Sequence, residues 1–239
     1  MTPLDGLINL HKRVGISSAK AVYRVRSITG QRKSGHAGTL DPGASGVLIV
    51  CLGRGTKLVE RLMDQPKVYR ATARLDVTSE SLDSDRPLQP VDVARIPEER
   101  EVHAACAGFH GTIQQVPPRI SAVKLRGRAA YELARRNQAV ELQPRPVTVY
   151  GIHVRRYAWP ELDFELACGR GTYVRALIRD LGERLGTGGC LTSLVRSRVG
   201  PFMLDEAWTF EALGGAGPEE YMVDVERAIE LLSGEPPRR

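Results

Sequence analysis

Apolar and polar residues alternate along several short segments of the chain, as they do in strands with one buried face. Every second residue is apolar in residues 161–168, and residues 68–75 alternate in the same way. Residues 46–52 are apolar almost throughout, which predicts a strand buried on both faces. Residues 147–157 and 199–204 complete the set of predicted strands.

Helical spacing, with apolar residues three or four apart, recurs between these strands. The first helix is expected to begin at a cap formed by Ser17 or Ser18 and to end at Gly30. Its polar face is basic. Further helices are expected over residues 98–109 and 129–137, and after Thr56, Thr172 and Thr209.

The remaining segments predict loops and extended chain. Residues 76–97 are rich in Ser, Asp and Pro without periodicity, which indicates a long exposed loop. Pro117 and Pro118 favour extended backbone before residues 120–125, and the last seven residues are expected to fray. Strands and helices mix without a strict βαβ rhythm, repeat or compelling boundary. We therefore predict one α+β domain, with a mixed, mostly antiparallel sheet flanked by helices.

Composition excludes several classes of protein. Of the 239 residues, 42% are apolar and 26% are charged, as in ordinary globular proteins. The longest apolar run is far below the roughly 20 residues that span a membrane, and we expect no signal peptide, because no apolar core follows a basic region in the first residues. The four cysteines form no Cys-x-x-Cys pair and have no histidine at ligand spacing, which argues against a zinc site. We expect reduced thiols and a cytoplasmic protein.

The charge balance favours a phosphate-rich partner without requiring one. Lys and Arg number 34 against 28 acidic residues, a net charge of +6, and the isoelectric point is near 9.3. Such an excess fits nucleic-acid binding, and it fits a solvated basic surface equally well.

A glycine-rich stretch carries the first candidate for chemistry. Residues 35–46 read GHAGTLDPGASG, with four glycines, one acid and one histidine immediately before the predicted buried strand. Asp41 precedes Pro42, which biases it to extended backbone. Asp41 is either a turn aspartate or a catalytic carboxylate on a loop held by a rigid strand. His36 taken alone is typical of a structural or surface histidine.

Arg175 is the second candidate. With Thr172 as the cap, it falls in the first turn of its helix and off the apolar stripe. A cation is unfavourable there because the helix N-terminus is itself positive. The position therefore favours an acidic partner or a bound phosphate, and a surface arginine is the alternative. A pair with Asp41 is the economical hypothesis, because it would keep that carboxylate ionised and oriented.

These residues lie in a longer string with a family resemblance. Residues 35–57, GHAGTLDPGASGVLIVCLGRGTK, resemble the catalytic motif of the tRNA pseudouridine synthase B (TruB) family. The resemblance continues in the family's order over most of the chain. It includes GLINLHKRVGISS near the start, KVYRATARL at 67–75, the segments at 115–135 and 145–154, GTYVRALIRDLGERLG at 171–186, and residues 193–213.

The resemblance implies the pseudouridine synthase fold and an enzyme without cofactor or metal. Members of the family convert uridine 55 in the T arm of tRNA to pseudouridine, and the target base leaves the stack of the T loop. Asp41 would be the catalytic aspartate, acting by covalent attack or by taking a ribose proton. Tyr69 would stack on the flipped uracil and handle a proton, although a core tyrosine would have the same pattern. Arg175 would pair with Asp41.

Three further residues match positions that touch the substrate. By the resemblance, His36 would fill space in the opened T loop, and Lys12 and Tyr173 would lie beside the active site. Some neighbours depart from the family pattern. His11 and Arg13 flank Lys12 where Asp and Pro are usual, Gly43 replaces an apolar residue, and residues 119–120 stand where an aromatic is common. These departures concern fine substrate contacts rather than the catalytic core.

The predicted domain organisation is a catalytic domain over residues 1–213 and a short extension over 214–239 without a PUA domain. We therefore expect recognition of the tRNA T stem-loop alone, by a monomer with no obligatory protein partner. An isolated T-arm hairpin would then be nearly as good a substrate as whole tRNA. Two rival functions stay open, a synthase for another RNA uridine and a non-catalytic tRNA-binding or folding protein. The expected contacts to the RNA backbone are Lys20, Arg24, Arg26, Arg126, Arg128, Arg135 and Arg136.

Overall fold

The protein is described from a computed structural model that covers residues 4–120, 124–125, 128–129 and 142–234. Among these residues no helix is long and apolar enough to cross a membrane. The strands are β1 (Gly6–Lys12), β2 (Ser34–Ala37), β3 (Ser45–Leu52), β4 (Lys67–Arg74), β5 (Val77–Thr78), β6 (Gln89–Pro90), β7 (Gly111–Gln115), β8 (Lys124–Leu125), β9 (Arg128–Ala129), β10 (Arg145–Ala158), β11 (Glu161–Cys168), β12 (Cys190–Val199), β13 (Phe202–Met203) and β14 (Met222–Asp224).

The helices alternate irregularly with these strands. They are α1 (Ser18–Thr29), α2 (Val59–Asp64), α3 (Glu99–Ala107), α4 (Val174–Leu185), α5 (Phe210–Gly215), α6 (Pro218–Tyr221) and α7 (Val225–Ser233), and a 3-10 helix (Gly53–Leu58) precedes α2.

The chain divides into two compact units, residues 1–69 with 194–239 and residues 70–193. In the first unit, β1 pairs antiparallel with both β14 and β3, and β2 adds to β3 antiparallel. The first unit also contains a parallel pair, in which β12 meets β3 at Arg196 and Gly46. Its core includes Leu7, Val47, Ile49, Leu62 and Phe202, all buried.

In the second unit, β10 pairs antiparallel with β11 on one side and with β7 on the other. Two short hairpins, β5–β6 and β8–β9, are also antiparallel. Helix α3 packs on β10 and on α4. The inward-facing residues of β11 are Leu162, Phe164, Leu166 and Cys168, all buried, as strict alternation requires. The strands are thus mixed and mostly antiparallel with helices around them, which confirms the predicted class.

Several local predictions are confirmed. Ser17 caps α1 by accepting a hydrogen bond from the Lys20 amide, and Gly30 ends the helix in the left-handed conformation, with φ of 69°. Thr209 caps α5. Strand β3 is buried along nearly its whole length, as its apolar run predicted. All four cysteines are buried and none forms a disulfide.

Other local predictions are wrong, each for a physical reason. Thr56 lies inside the 3-10 helix and hydrogen-bonds the Gly53 carbonyl, so it caps nothing. Thr172 bonds the Gly169 carbonyl instead, and α4 begins after Tyr173 without a side-chain cap. The loop expected at 76–97 is present over most of that segment, but the segment also contains the short antiparallel pair β5–β6. The strand expected at 199–204 is broken at Gly200, where the chain turns from β12 into β13.

Some predictions fall outside the described residues. The basic helix at 129–137 does so except for residue 129, which belongs to β9, and so do Arg126, Arg135, Arg136 and residues 235–239. The domain boundary at residue 213 stays a prediction.

Candidate active site

Asp41 lies in the loop that connects β2 with β3, at the first position of a tight turn. The Ala44 amide donates a hydrogen bond of 3.1 Å to the Asp41 carbonyl oxygen, so that Pro42 and Gly43 take the two central positions. Proline suits the first of these because its φ is preset. The Pro42 carbonyl oxygen accepts a hydrogen bond of 2.8 Å from the Gly15 amide. The loop therefore has a defined main-chain path, with the aspartate side chain half-buried.

Lys12 fixes the far end of this turn from the last position of β1. Its side chain is fully buried, and burial lowers its pKa to about 8, while the nearby Asp41 carboxylate opposes the shift. The ammonium is saturated by main-chain acceptors. Its Nζ donates hydrogen bonds to the carbonyl oxygens of Arg13 (3.0 Å), Ile16 (2.8 Å) and Ala44 (2.6 Å).

Ser18 holds the residue before Asp41. Its hydroxyl donates to the Leu40 carbonyl oxygen (3.0 Å) and accepts from the Leu40 amide (2.9 Å). Both polar main-chain groups of a buried loop residue are thus satisfied by one side chain, which a buried loop requires. Arg196 of β12 reaches the same loop from another side and is also buried.

His36 lies on β2, opposite Val50 of β3. Burial lowers its pKa, and the positive charge of Arg196 lowers it further. The ring is therefore neutral at pH 7. Its Nδ1 is buried without a hydrogen-bond partner in the described part of the chain. A neutral, weakly satisfied ring suits packing against a base rather than pairing with a phosphate.

Tyr69 lies on the buried face of β4. Only 8% of it is exposed, and the inward positions that follow it, Ala71, Ala73 and Leu75, are buried too. The alternation predicted for this strand is therefore confirmed. A core tyrosine and a substrate-stacking tyrosine would both occupy this face.

Arg175 belongs to the second unit and lies in the first turn of α4. It is only 5% exposed, so the interpretation as a surface arginine is wrong. Its Nη1 donates to the Ser81 carbonyl oxygen (2.7 Å) and its Nη2 to the Ile120 carbonyl oxygen (3.2 Å). Main-chain oxygens thus offset part of the cost of a buried cation at a helix N-terminus. The pair with Asp41 joins residues of different units and stays a prediction.

Tyr173 immediately precedes α4 and is held by Gln115 of β7. The Gln115 amide accepts from the Tyr173 main-chain nitrogen (2.9 Å) and donates to its carbonyl oxygen (3.1 Å). The Arg145 guanidinium lies 5.3 Å from the centre of the Tyr173 ring, within range of a cation–π contact. Gln115 replaces the missing side-chain cap and sets the start of the helix that carries Arg175.

Comparisons with known proteins match this chain along almost its whole length. Residues 26–174 match the model of the TruB family pseudouridylate synthase (N terminal domain), and residues 175–227 match the tRNA pseudouridylate synthase B C-terminal domain. The chain belongs to the TruB family of pseudouridylate synthases. It is accordingly an enzyme, an isomerase, and the predicted family is confirmed.

Curated relatives agree with the TruB assignment. The tRNA pseudouridine synthase B of Syntrophus aciditrophicus (strain SB) is 44% identical over 236 residues, which cover 97% of this chain and 73% of the relative. The protein of the same name from Thermobifida fusca (strain YX) is 43% identical, over 87% of this chain and 74% of the relative.

Solved structures share the fold of this TruB chain. A chain in the crystal structure of a Cbf5-Nop10-Gar1 complex matches with a TM-score of 0.73 and 29% identity, covering 95% of this chain. A chain in an H/ACA RNP bound to a substrate RNA containing 2′-deoxyuridine matches with a TM-score of 0.70 and 27% identity. The chain spans 62% and 61% of their lengths. The predicted pseudouridine synthase fold is thus confirmed.

Three residues of this TruB chain that support the candidate site were not predicted as site residues. Ser18 was considered only as a helix cap, while Gln115 and Arg196 appeared only inside longer matching strings. No pattern in the sequence distinguishes Arg196, because polar residues and a second arginine, Arg198, lie in the same strand.

Proposed function

We propose that this enzyme converts uridine 55 in the T arm of tRNA to pseudouridine, with Asp41 as the catalytic carboxylate. The observation that carries the proposal is the Asp41 loop. Its main chain is bound on several sides by buried donors, in a member of a family whose curated relatives are named tRNA pseudouridine synthase B. A catalytic carboxylate needs this kind of preorganised support.

The reaction exchanges one glycosidic bond for another. The bond between N1 of uracil and C1′ of the ribose breaks, and a bond between C5 and C1′ forms. The proton on C5 is lost and N1 gains one, so no electrons are supplied from outside and no cofactor is required. Asp41 would start the cleavage, either by attacking C1′ or by removing a ribose proton. The base must leave the loop stack before it can turn.

The remaining site residues have supporting parts in the proposal. Tyr69 stacks on the flipped uracil, and the buried face on which it lies would keep water from the base. Arg175 supports the ionised form of the catalytic carboxylate. Neutral His36 would occupy space opened in the T loop. Lys12 would hold the main chain of the Asp41 loop through Ala44, and Tyr173, itself held by Gln115, would lie beside the start of the helix that carries Arg175.

The test is tritium release from a tRNA transcript labelled at C5 of uridine, because C5 loses its hydrogen in the reaction. Wild type is expected to release one tritium per tRNA, and a transcript with cytidine at position 55 should release none. Asp41→Asn should abolish release while binding tRNA nearly as tightly as wild type, since phosphate contacts are separate from the chemistry. Asp205→Asn, an exposed carboxylate in the same unit, serves as the control.

Each contrary result has a definite meaning. Release within about tenfold of wild type by Asp41→Asn would remove Asp41 from the chemistry. Unchanged release from the cytidine-55 transcript would establish a different target uridine. Tight tRNA binding with no release at all would establish a binding or folding protein.

A further inference from the structure

Arg196 is a fully buried arginine that binds the Asp41 loop on both sides of the aspartate. It lies on β12 and is 1% exposed, which makes it the largest fully buried side chain of the described residues. Its Nε donates to the Val47 carbonyl oxygen (2.8 Å), and its Nη2 donates to the Gly38 carbonyl oxygen (3.0 Å). A third, longer contact of 3.4 Å joins Nη1 to the Thr39 carbonyl oxygen.

These contacts span the loop. Gly38 and Thr39 precede Asp41, and Val47 follows it, so one planar group binds the chain where it enters and where it leaves the loop. A guanidinium suits this task because its five donors point in fixed directions. An ammonium has the same charge, but its donors all diverge from one nitrogen, whereas the guanidinium donates from three separate nitrogens. Shape, rather than charge, is what the site requires of this residue.

Two glycines allow β12 and the Arg196 guanidinium to come close to the main chain around Asp41. Gly46 pairs directly with Arg196 in the parallel β3–β12 contact, and it has φ of +110°. A Cβ at Gly46 would lie 2.2 Å from the Arg196 carbonyl oxygen, so only glycine fits. Gly38 has φ of +85°, which directs its carbonyl oxygen to the guanidinium without a side-chain penalty. Two glycines with left-handed backbone thus bracket the loop at its contacts with Arg196.

Burying an arginine costs desolvation free energy, which an apolar side chain in the same space would not. Among the described residues, the hydrogen-bond partners of Arg196 are main-chain oxygens of the Asp41 loop and of strand β3, which follows it, and no carboxylate forms an ion pair with Arg196. A leucine or methionine would pack there without the desolvation cost. The main chain that the guanidinium holds in place therefore explains why a charged side chain is buried here.

We propose that Arg196 is a positioning residue for the reaction, which keeps the Asp41 loop in the conformation that presents the carboxylate to the ribose. This inference rests on the proposed function, since it assigns Asp41 the chemistry. Arg196 itself touches neither base nor ribose. Its loss should therefore slow the chemical step and leave tRNA binding intact.

The test compares Arg196→Lys with Arg198→Lys. Arg198 lies two residues further along β12 and donates to the Gly200 carbonyl oxygen (2.7 Å), so the control makes the same chemical change on the same strand. Single-turnover pseudouridine formation is measured with enzyme above the dissociation constant, and binding of the tRNA is measured separately. We expect Arg196→Lys to react about 100-fold more slowly, with affinity within about threefold of wild type. Arg198→Lys should keep the wild-type rate.

Two further measurements separate positioning from general stability. Hydrogen exchange should become faster in residues 38–46 of Arg196→Lys, with no change in α1. Arg196→Ala, which leaves a guanidinium-sized space, should recover part of its rate when guanidinium ions are added at millimolar concentration. Recovery by ammonium at equal concentration would contradict the requirement for shape.

The outcomes distinguish this inference from the function on which it rests. If wild type and Arg198→Lys form no pseudouridine, the proposed function fails. If wild type is active and Arg196→Lys reacts within about threefold of it, the positioning role is wrong and the function stands. An Arg196→Lys protein that is unfolded, or that loses affinity as much as rate, would also overturn the inference, because it would give Arg196 a general structural role.

Discussion

The Lys12 ammonium donates a hydrogen bond of 2.6 Å to the carbonyl oxygen of Ala44, three residues beyond Asp41. Lys12→Met keeps most of the side-chain volume but leaves three carbonyl oxygens without their donor. We expect the single-turnover rate to fall by about 100-fold as the turn relaxes, and the free energy of unfolding to fall by about 2–5 kcal/mol. Rapid-quench assays and urea unfolding measure the two effects. An unchanged rate would show that the turn holds without Lys12.

The lowered pKa of Lys12 predicts a pH dependence. Its folded-state pKa of about 8 lies below the usual 10.5, so the ammonium loses its proton in the folded protein as the pH rises through about 8. Asp41 then loses a neighbouring positive charge and the turn loses a donor. We expect the wild-type rate to decline above pH 8. In Lys12→Met no ammonium titrates, so its residual rate should show no such decline. An identical alkaline decline in both proteins would assign it to another group.

Arg175→Ala is expected to affect both rate and stability. The sequence alone favoured a small effect on folding, because the carboxylate left without its partner was expected still to reach water. The buried guanidinium instead satisfies the carbonyl oxygens of Ser81 and Ile120, so its removal should cost about 1–3 kcal/mol of unfolding free energy. The rate should fall at least about a thousandfold if Arg175 supports the catalytic carboxylate.

A matched control for Arg175→Ala lies one turn further along α4. Arg179 donates to the Val116 carbonyl oxygen (3.0 Å) and pairs with Asp180. Arg179→Ala should retain the wild-type rate. Equal rates in the two variants would take Arg175 out of the chemistry, whatever their melting temperatures.

Gln115→Ala should loosen the start of α4. It removes both hydrogen bonds to the Tyr173 main chain, in a helix that has no other side-chain cap. We expect a loss of about 1–3 kcal/mol in unfolding free energy and faster hydrogen exchange in the first turn of α4. Gln114→Ala, the exposed neighbour, is the control and should change neither. Slow exchange in the first turn of Gln115→Ala would mean that packing alone fixes that turn.

Glu211 forms ion pairs with basic residues on the surface where the sequence predicts contacts to the RNA backbone. It forms ion pairs with Arg13 (2.6 Å) and Arg24 (3.4 Å), all exposed. Glu211→Gln should release both arginines, tighten tRNA binding by about two- to fivefold and steepen its salt dependence. Stability should change by less than about 1 kcal/mol because exposed pairs contribute little. Glu219→Gln is the control. If Glu211→Gln binds tRNA with the wild-type affinity at every salt concentration, the RNA does not contact this surface.

Sequence reasoning was most successful where a local signal acted alone. The Ser17 cap, the Gly30 stop and the alternation after Tyr69 were each confirmed, because short-range hydrogen bonds and burial decide them. It failed at Thr56 and Thr172, because each hydroxyl found a closer main-chain acceptor within its own turn.

For the candidate site, local pattern identified Asp41 and Arg175 as unusual, and family resemblance supplied the roles. The supporting contacts could not be predicted. Ser18 meets Leu40 across 22 residues, and Arg196 meets Gly38 across 158, so these pairs depend on the assembled fold. No periodicity or spacing in the chain encodes such distances.

The donors around the Asp41 loop end on main-chain oxygens, which every amino acid has. Thr39 and Gly43 are exposed, and apart from its carbonyl oxygen Thr39 adds nothing to this support. We therefore expect substitutions at positions 39 and 43 to leave the aspartate in place. A randomised library at these two positions should yield mostly folded, active proteins, and differences among its members should concern which RNAs they prefer.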